Sequence, residues 1–73
     1  SAEDVFAINE ALEKLSKHDA RAAELVKLRY FAGLSTEAAG ELLQLSRTAA
    51  FEKWTYVKDW LRRELQMEEF TDN

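Results

Sequence analysis

This chain has almost none of the residues that form tight turns, and this feature limits its fold more than any other. The 73 residues include no proline and only two glycines, Gly33 and Gly40. Hairpins rely on glycine, proline, asparagine or aspartate at their turns, so this chain has few means of building a sheet. Alanine, leucine, glutamate, lysine and arginine, which favour helices, are abundant. The sequence predicts a single all-α domain.

Apolar residues recur at spacings of three and four, which is the pattern of helices with one buried side. This pattern predicts four helices, at residues 4–17, 20–32, 36–43 and 47–66. Residue types that favour the N-cap position stand at the four starts: Asp4, Asp19, Ser35 and Ser46. Gly33 is expected to end the second helix, because glycine takes a positive φ at little cost.

The predicted core takes one apolar stripe from each helix. Its members are Val5, Ile8, Leu12 and Leu15 from the first helix, Ala22, Leu25, Val26, Leu28, Tyr30 and Phe31 from the second, Ala38, Ala39, Leu42 and Leu43 from the third, and Ala50, Trp54, Val57, Trp60, Leu61 and Leu65 from the fourth. The opposite side of the fourth helix is expected to face solvent, and it carries Thr48, Glu52, Thr55, Tyr56, Asp59 and Arg63.

The net charge of −4 argues, on its own, against a nucleic-acid ligand. The charge is unevenly distributed, however. Residues 47–63 carry five cations against two carboxylates, a local net charge of +3, whereas residues 64–73 carry a net charge of −4. The positive charge therefore belongs to the predicted fourth helix, and an acidic tail at residues 67–73 follows it.

Several classes of protein lack support in the sequence. Without cysteine there is no disulfide or thiolate metal site, which fits a reducing, cytoplasmic location. No apolar run approaches the roughly 18 residues of a membrane span. His18 has no partner at a metal-ligand or catalytic spacing, and no phosphate-binding glycine loop exists. We expect no enzyme activity, cofactor, metal, membrane partner or small-molecule substrate. Residues 1–3 are expected to be a tag remnant or disordered, and the chain to be part of a longer protein.

The third and fourth predicted helices are joined by a short turn, and the fourth is longer and locally basic. This arrangement is the helix-turn-helix plan, in which the first helix rests on the DNA backbone and the second enters the major groove. Ser35 and Ser46 leave backbone N–H groups at both helix starts, and such groups are good phosphate ligands. The expected fold is therefore a four-helix domain of the helix-turn-helix class, without a wing.

Residues 12–65 resemble region 4 of extracytoplasmic-function-type bacterial sigma factors of the sigma-70 family. Three stretches at matching separations carry the resemblance: ALEKLSKHDARAAELVKLRYFAGLS at residues 11–35, STEAAGELLQLSRT at residues 35–48, and WLRREL at residues 60–65. The resemblance implies that the last helix reads the −35 promoter element. It also implies that the domain docks on the β flap of RNA polymerase and that an anti-sigma factor masks it. Initiation would further require an upstream region 2 that melts the −10 element.

The sequence departs from the family pattern on the predicted reading helix and near it. Ala49 and Ala50 replace a usual Thr-Val pair, and Gln44 stands where the turn often has glycine. Phe51 and Glu52 stand where basic or polar DNA-contacting residues are usual. The expected DNA-binding residues are Ser35, Thr36, Ser46, Arg47, Thr48, Phe51, Glu52, Lys53, Thr55, Tyr56 and Lys58.

Two of these residues have more than one interpretation. Phe51 either contacts a thymine methyl group or packs against protein, and Glu52 either accepts a hydrogen bond from cytosine N4 or repels phosphate. These residues and the acidic tail also allow an alternative function. The helix-turn-helix scaffold would then serve as a protein-interaction module with little affinity for DNA.

Overall fold

The computed structural model describes residues 2–66, with side chains from residue 4 onward. It contains four helices, Ala2–His18 (α1), Ala20–Tyr30 (α2), Thr36–Leu42 (α3) and Arg47–Leu65 (α4), and no strand among these residues. The predicted all-α fold is confirmed. The predicted acidic tail lies outside the described residues, as does Ser1.

Three of the four predicted N-caps are confirmed by their hydrogen bonds. The side chains of Asp19, Ser35 and Ser46 each accept from the backbone N–H three residues later, over 3.1, 3.0 and 3.1 Å. The prediction for Asp4 was wrong, because α1 begins at Ala2 and Asp4 lies within its first turn. A carboxylate there still suits the positive end of the helix dipole.

The second helix ends two residues earlier than predicted. After Tyr30 the chain leaves the helix, and the N–H of Leu34 bonds back to the carbonyl of Leu28 over 2.9 Å. Gly33 has φ +75°, which confirms the conformation expected of it, although it lies beyond the cap residue Phe31. The positive φ lets the chain turn sharply toward α3.

α4 runs antiparallel to α1 across the domain. Lys53, in the first half of α4, bonds to Asp19, immediately after α1, and Lys14 of α1 bonds to Glu64 near the end of α4. α1 also packs on α2, and α3 packs on α4. The buried core joins all four helices: Ala11, Leu12, Leu15, Ala22, Ala23, Leu25, Val26, Ala39, Trp54, Val57 and Leu61. Ala50 is also buried, so the predicted inner stripe of α4 is confirmed at Ala50, Trp54, Val57 and Leu61, whereas Trp60 and Leu65 are only partly buried against the core.

Four residues predicted to lie in the core are exposed instead: Val5 by 47%, Tyr30 by 38%, Phe31 by 56% and Leu42 by 66%. Val5 lies near the start of α1, and residues 4–66 leave it uncovered there. Tyr30 and Phe31 lie at the end of α2, where the chain turns away.

The prediction for Leu42 was wrong because a different side of α3 faces the core. Its buried residues are Thr36, Ala39 and Gly40, which share one side of a helix, and this side turns Leu42 toward solvent. Ala38 and Leu43, also predicted for the core, are half-buried at its margins. Because α3 is so short, its possible buried sides differ by only one apolar residue. Packing against α4 decides which side is buried.

The crossing of α3 and α4 depends on Gly40. A Cβ atom at this position would lie 2.6 Å from the Cβ of Ala50, closer than two carbon atoms can approach. The two helices therefore meet almost at their backbones. Because Ala50 lies in the first turns of α4, this contact determines how the start of α4 projects from the domain.

Candidate nucleic-acid interface

The side of α4 opposite the core is open to solvent at its N-terminal half. Ala50, Trp54, Val57 and Leu61 are buried, and the helical repeat places the other side chains away from them. We call the exposed set the outer face of α4, and it consists of Arg47, Thr48, Phe51, Glu52, Thr55 and Tyr56. All six are exposed, as the sequence pattern predicted for Thr48, Glu52, Thr55 and Tyr56.

Arg47 stands at the start of the outer face and is held by two neighbours. Its Nη1 donates to Oε2 of Glu37 on α3 over 2.7 Å, and its guanidinium carbon lies 5.5 Å from the centre of the Phe51 ring. Both distances are within the range of favourable interaction for a guanidinium. Arg47, Thr48, Phe51 and Glu52 line an open depression of about 320 Å³.

The inner side of α4 is anchored by Trp54. The guanidinium of Arg29 lies 4.7 Å from the centre of the Trp54 ring, and the ring of Tyr30 lies 6.0 Å away. Arg29 also donates from Nη1 to the carbonyl of Leu34 over 3.1 Å. One side chain thus connects α2, the loop before α3, and α4. The sequence alone does not indicate this role of Arg29, because its partners depend on the tertiary fold.

Lys53 is turned away from the outer face. It is half-buried, and its Nζ donates to Oδ2 of Asp19 over 2.5 Å. Burial raises the pKa of the Asp19 carboxyl, but the hydrogen bond from Lys53 and that from the Ala22 N–H outweigh burial and leave the pKa below its usual value. The pair links α4 to the junction of α1 and α2, which is a structural role for Lys53.

The other predicted site residues differ in what their side chains offer to a ligand. Thr36 is only 6% exposed. Ser35 and Ser46 are exposed, but as N-caps their hydroxyl oxygens already accept from the N–H groups of Ala38 and Ala49. These two N–H groups are therefore not open to phosphate, contrary to the expectation of free donors throughout both helix starts.

Two further predicted site residues lie farther along α4. The hydroxyl of Thr55 donates to the Phe51 carbonyl over 3.0 Å and keeps its lone pairs for another donor. Lys58 is half-buried.

Most of the positive charge of residues 47–63 is paired within the domain. Arg47 pairs with Glu37, Lys53 with Asp19, and Arg62 and Arg63 both pair with Asp59. By contrast, the Glu52 carboxylate has no hydrogen-bond or ion-pair partner in the part of the chain that the structure describes. The outer face is therefore much less positive than the local net charge of +3 indicates.

The geometry of α3 and α4 defines the class of protein. A short helix and a longer one meet at backbone contact, are joined by residues 43–46, and leave the outer side of the second exposed at its N-terminal half. This is a helix-turn-helix protein.

Comparison with protein families matches residues 1–67 to the ECF sigma factor family, and the chain belongs to that family. It is accordingly a DNA-binding sigma factor chain with a role in transcription initiation, in a family of non-catalytic transcription factors. Comparison with curated proteins and with solved structures gave no match. Within residues 2–66, no helix has both the length and the apolar character that crossing a membrane requires.

Proposed function

We propose that this domain recognises the −35 element of a promoter with the outer face of α4, while docked on the β flap of RNA polymerase. The observation that carries the proposal is the exposure of all six side chains of the outer face on a helix whose opposite side is buried. An exposed N-terminal half is what a recognition helix needs in order to enter the major groove. The domain would act in the cytoplasm, with the polymerase.

The chemistry of the outer face is suited to mixed contacts. Arg47 supplies donors for a phosphate or for guanine, and Thr48 supplies a hydroxyl at the first turn of α4. Phe51, 44% exposed, offers an apolar surface to a thymine methyl group. The Glu52 carboxylate, which has no partner among the described residues, is an acceptor for cytosine N4. Thr55 and Tyr56 extend the same side of the helix.

The proposed contact set is narrower than the set predicted from the sequence. Thr36 is left out because it is buried, and Lys53 because it is paired with Asp19. Contact with the β flap, and masking by an anti-sigma factor, are proposed from family membership. We assign no residues to either contact.

The proposal is tested by selecting duplexes from a randomised pool with the whole chain and measuring their affinity by fluorescence anisotropy. We expect weak, salt-sensitive binding, because most cations of α4 are already paired. Arg47→Gln should weaken binding and reduce the slope of log affinity against log salt by up to about 0.9, the value for one complete phosphate contact.

A matched control is Lys17→Gln, which removes the same charge from an exposed position on α1. We expect it to leave the slope unchanged, because it is not part of the outer face. Failure to select or bind any duplex at low salt would contradict the proposed function, and so would equal effects of the two substitutions.

A second candidate function is supported by the pairing of the cations. With Arg47, Lys53, Arg62 and Arg63 bound to carboxylates, and with Glu52 unpaired within the part of the chain that the structure describes, the outer face suits a protein partner as well as a phosphate backbone. Amide NMR titrations distinguish the two. Shifts along α4 with a selected duplex favour promoter recognition, whereas shifts with a β-flap fragment and none with DNA favour a protein-interaction module.

A further inference from the structure

One ion pair connects the exposed surfaces of the two helices of the helix-turn-helix. Glu37, in the first turn of α3, holds the guanidinium of Arg47, in the first turn of α4, over 2.7 Å. The side chains are 53% and 72% exposed, so the pair lies in water and adds little to the stability of the fold. Its main effect is instead on Arg47, the cation at the start of the outer face.

We propose that Glu37 is a positioning residue that sets the DNA affinity of the domain by competing with a backbone phosphate for Arg47. The inference rests on the proposed function. The Glu37 carboxylate occupies an N–H of the guanidinium, and the Phe51 ring contacts the same guanidinium. A phosphate that takes Arg47 must therefore displace a carboxylate and approach its negative charge.

This competition has a measurable consequence for non-specific binding. Affinity for arbitrary DNA comes from cations that neutralise phosphates and release counterions. A guanidinium that already has an anionic partner gains less from a phosphate than a free one does. Glu37 thereby lowers the affinity for duplexes of any sequence. Base contacts then contribute a larger share of the binding free energy.

The test compares Glu37→Gln with Glu41→Gln, both measured by anisotropy against a labelled random-sequence duplex and a selected duplex over a salt series. Glu41 is a matched control because it lies on the same helix, is exposed, has no described partner and loses the same charge. We expect Glu37→Gln to tighten binding to both duplexes about twofold to fivefold, as the strength of an exposed pair implies. It should also steepen the salt slope, by part of the roughly 0.9 that one complete phosphate contact contributes, because Arg47 can neutralise only one phosphate.

Glu41→Gln should leave the salt slope unchanged. The double variant Glu37→Gln/Arg47→Gln should bind like Arg47→Gln alone, because Glu37 acts through Arg47.

The outcomes separate this inference from the proposed function. If the wild-type chain binds and the two glutamate variants behave alike, only the role of Glu37 is refuted. The same holds if Glu37→Gln tightens binding even without Arg47, since bulk charge then explains the effect. If no variant binds any duplex, both proposals fail. Thermal unfolding followed by circular dichroism should show wild-type stability for all variants, because every substituted side chain is exposed.

Discussion

Asp19 shows how one side chain can combine a local role with a distant one. Its carboxylate caps α2 through the Ala22 N–H and also accepts from Lys53, 34 positions further along the chain. The cap could be predicted from the sequence because it depends only on residue type and on neighbours three positions away. The ion pair could not, because it depends on where α4 crosses the junction of α1 and α2.

The lowered pKa of Asp19 makes part of the stability dependent on pH. A carboxyl group with a lower pKa in the folded chain than in the unfolded chain binds its proton less tightly when folded. Its contribution is therefore complete above the unfolded pKa and is lost as the pH falls through the folded pKa. The affected range begins near the ordinary aspartate value of 3.8 and extends below it.

We predict that Asp19→Asn is less stable than the wild type at neutral pH but loses less stability on acidification below about pH 4. Asparagine is as good an N-cap as aspartate, so the substitution removes the charge and keeps the cap. Urea unfolding at neutral and acidic pH measures both effects. Glu24→Gln, which removes an exposed pair with Lys27, serves as the control. Parallel stability curves for Asp19→Asn and the wild type would contradict the prediction.

Among the secondary-structure elements, the turn between α3 and α4 contains a residue in an unfavourable backbone conformation. Gln44 has φ +61°, a left-handed conformation that costs a residue with a Cβ atom roughly 1–2 kcal/mol. This position often carries glycine in the family that the sequence resembles, and the backbone gives the physical reason. The turn keeps its geometry because α3 and α4 are already in contact at Gly40 and Ala50.

Gln44→Gly is expected to stabilise the domain by up to about 1 kcal/mol, since relief of the left-handed strain exceeds the greater freedom of glycine in the unfolded chain. The melting temperature should rise by roughly 4–8 °C per kcal/mol for a domain of this size. Gln44→Ala retains the Cβ atom and should give no gain. A glycine variant no more stable than the alanine variant would show that the turn is not strained.

The elements also show why some sequence predictions succeed and others fail. α4 is long, and its apolar residues recur over several turns, so its buried side was predicted correctly. α3 has only seven residues, Thr36–Leu42, and its buried side includes Thr36 and Gly40, which carry little hydrophobic signal. Both Ala39 and Leu42 were predicted to face inward, and only Ala39 does, because the close approach to α4 decides the buried side and a pattern of residue types does not contain it.

For the whole molecule, charge pairing is the property that the sequence could not supply. Local composition made residues 47–63 positive, but Glu37, the partner of Arg47, comes from α3, and Asp19, the partner of Lys53, comes from the junction of α1 and α2. Packing of α4 against α3 and along α1 brings these groups together. The exposed side of α4 was therefore predictable, whereas the pairing that removes positive charge from it was not.

The size of the domain makes its stability depend on a few core side chains. At roughly 0.05–0.15 kcal/mol per residue, a chain of this length has a total stability of about 4–11 kcal/mol. Leu15 is completely buried in the core that joins α1 to α2 and α4, whereas Leu42 is 66% exposed. Replacing a buried leucine by alanine costs about 2–5 kcal/mol, because apolar contacts are lost and a cavity remains.

We therefore predict that Leu15→Ala removes a large share of the total stability and that Leu42→Ala, the same chemical change, alters it by no more than about 0.5 kcal/mol. Urea unfolding of both variants, followed by circular dichroism and by the fluorescence of Trp54 and Trp60 in α4, measures the difference. The two signals should change together if the four helices unfold as one unit. Equal losses in the two variants would mean that Leu42 is covered in solution, and separate transitions would mean that α4 does not share a core with α1.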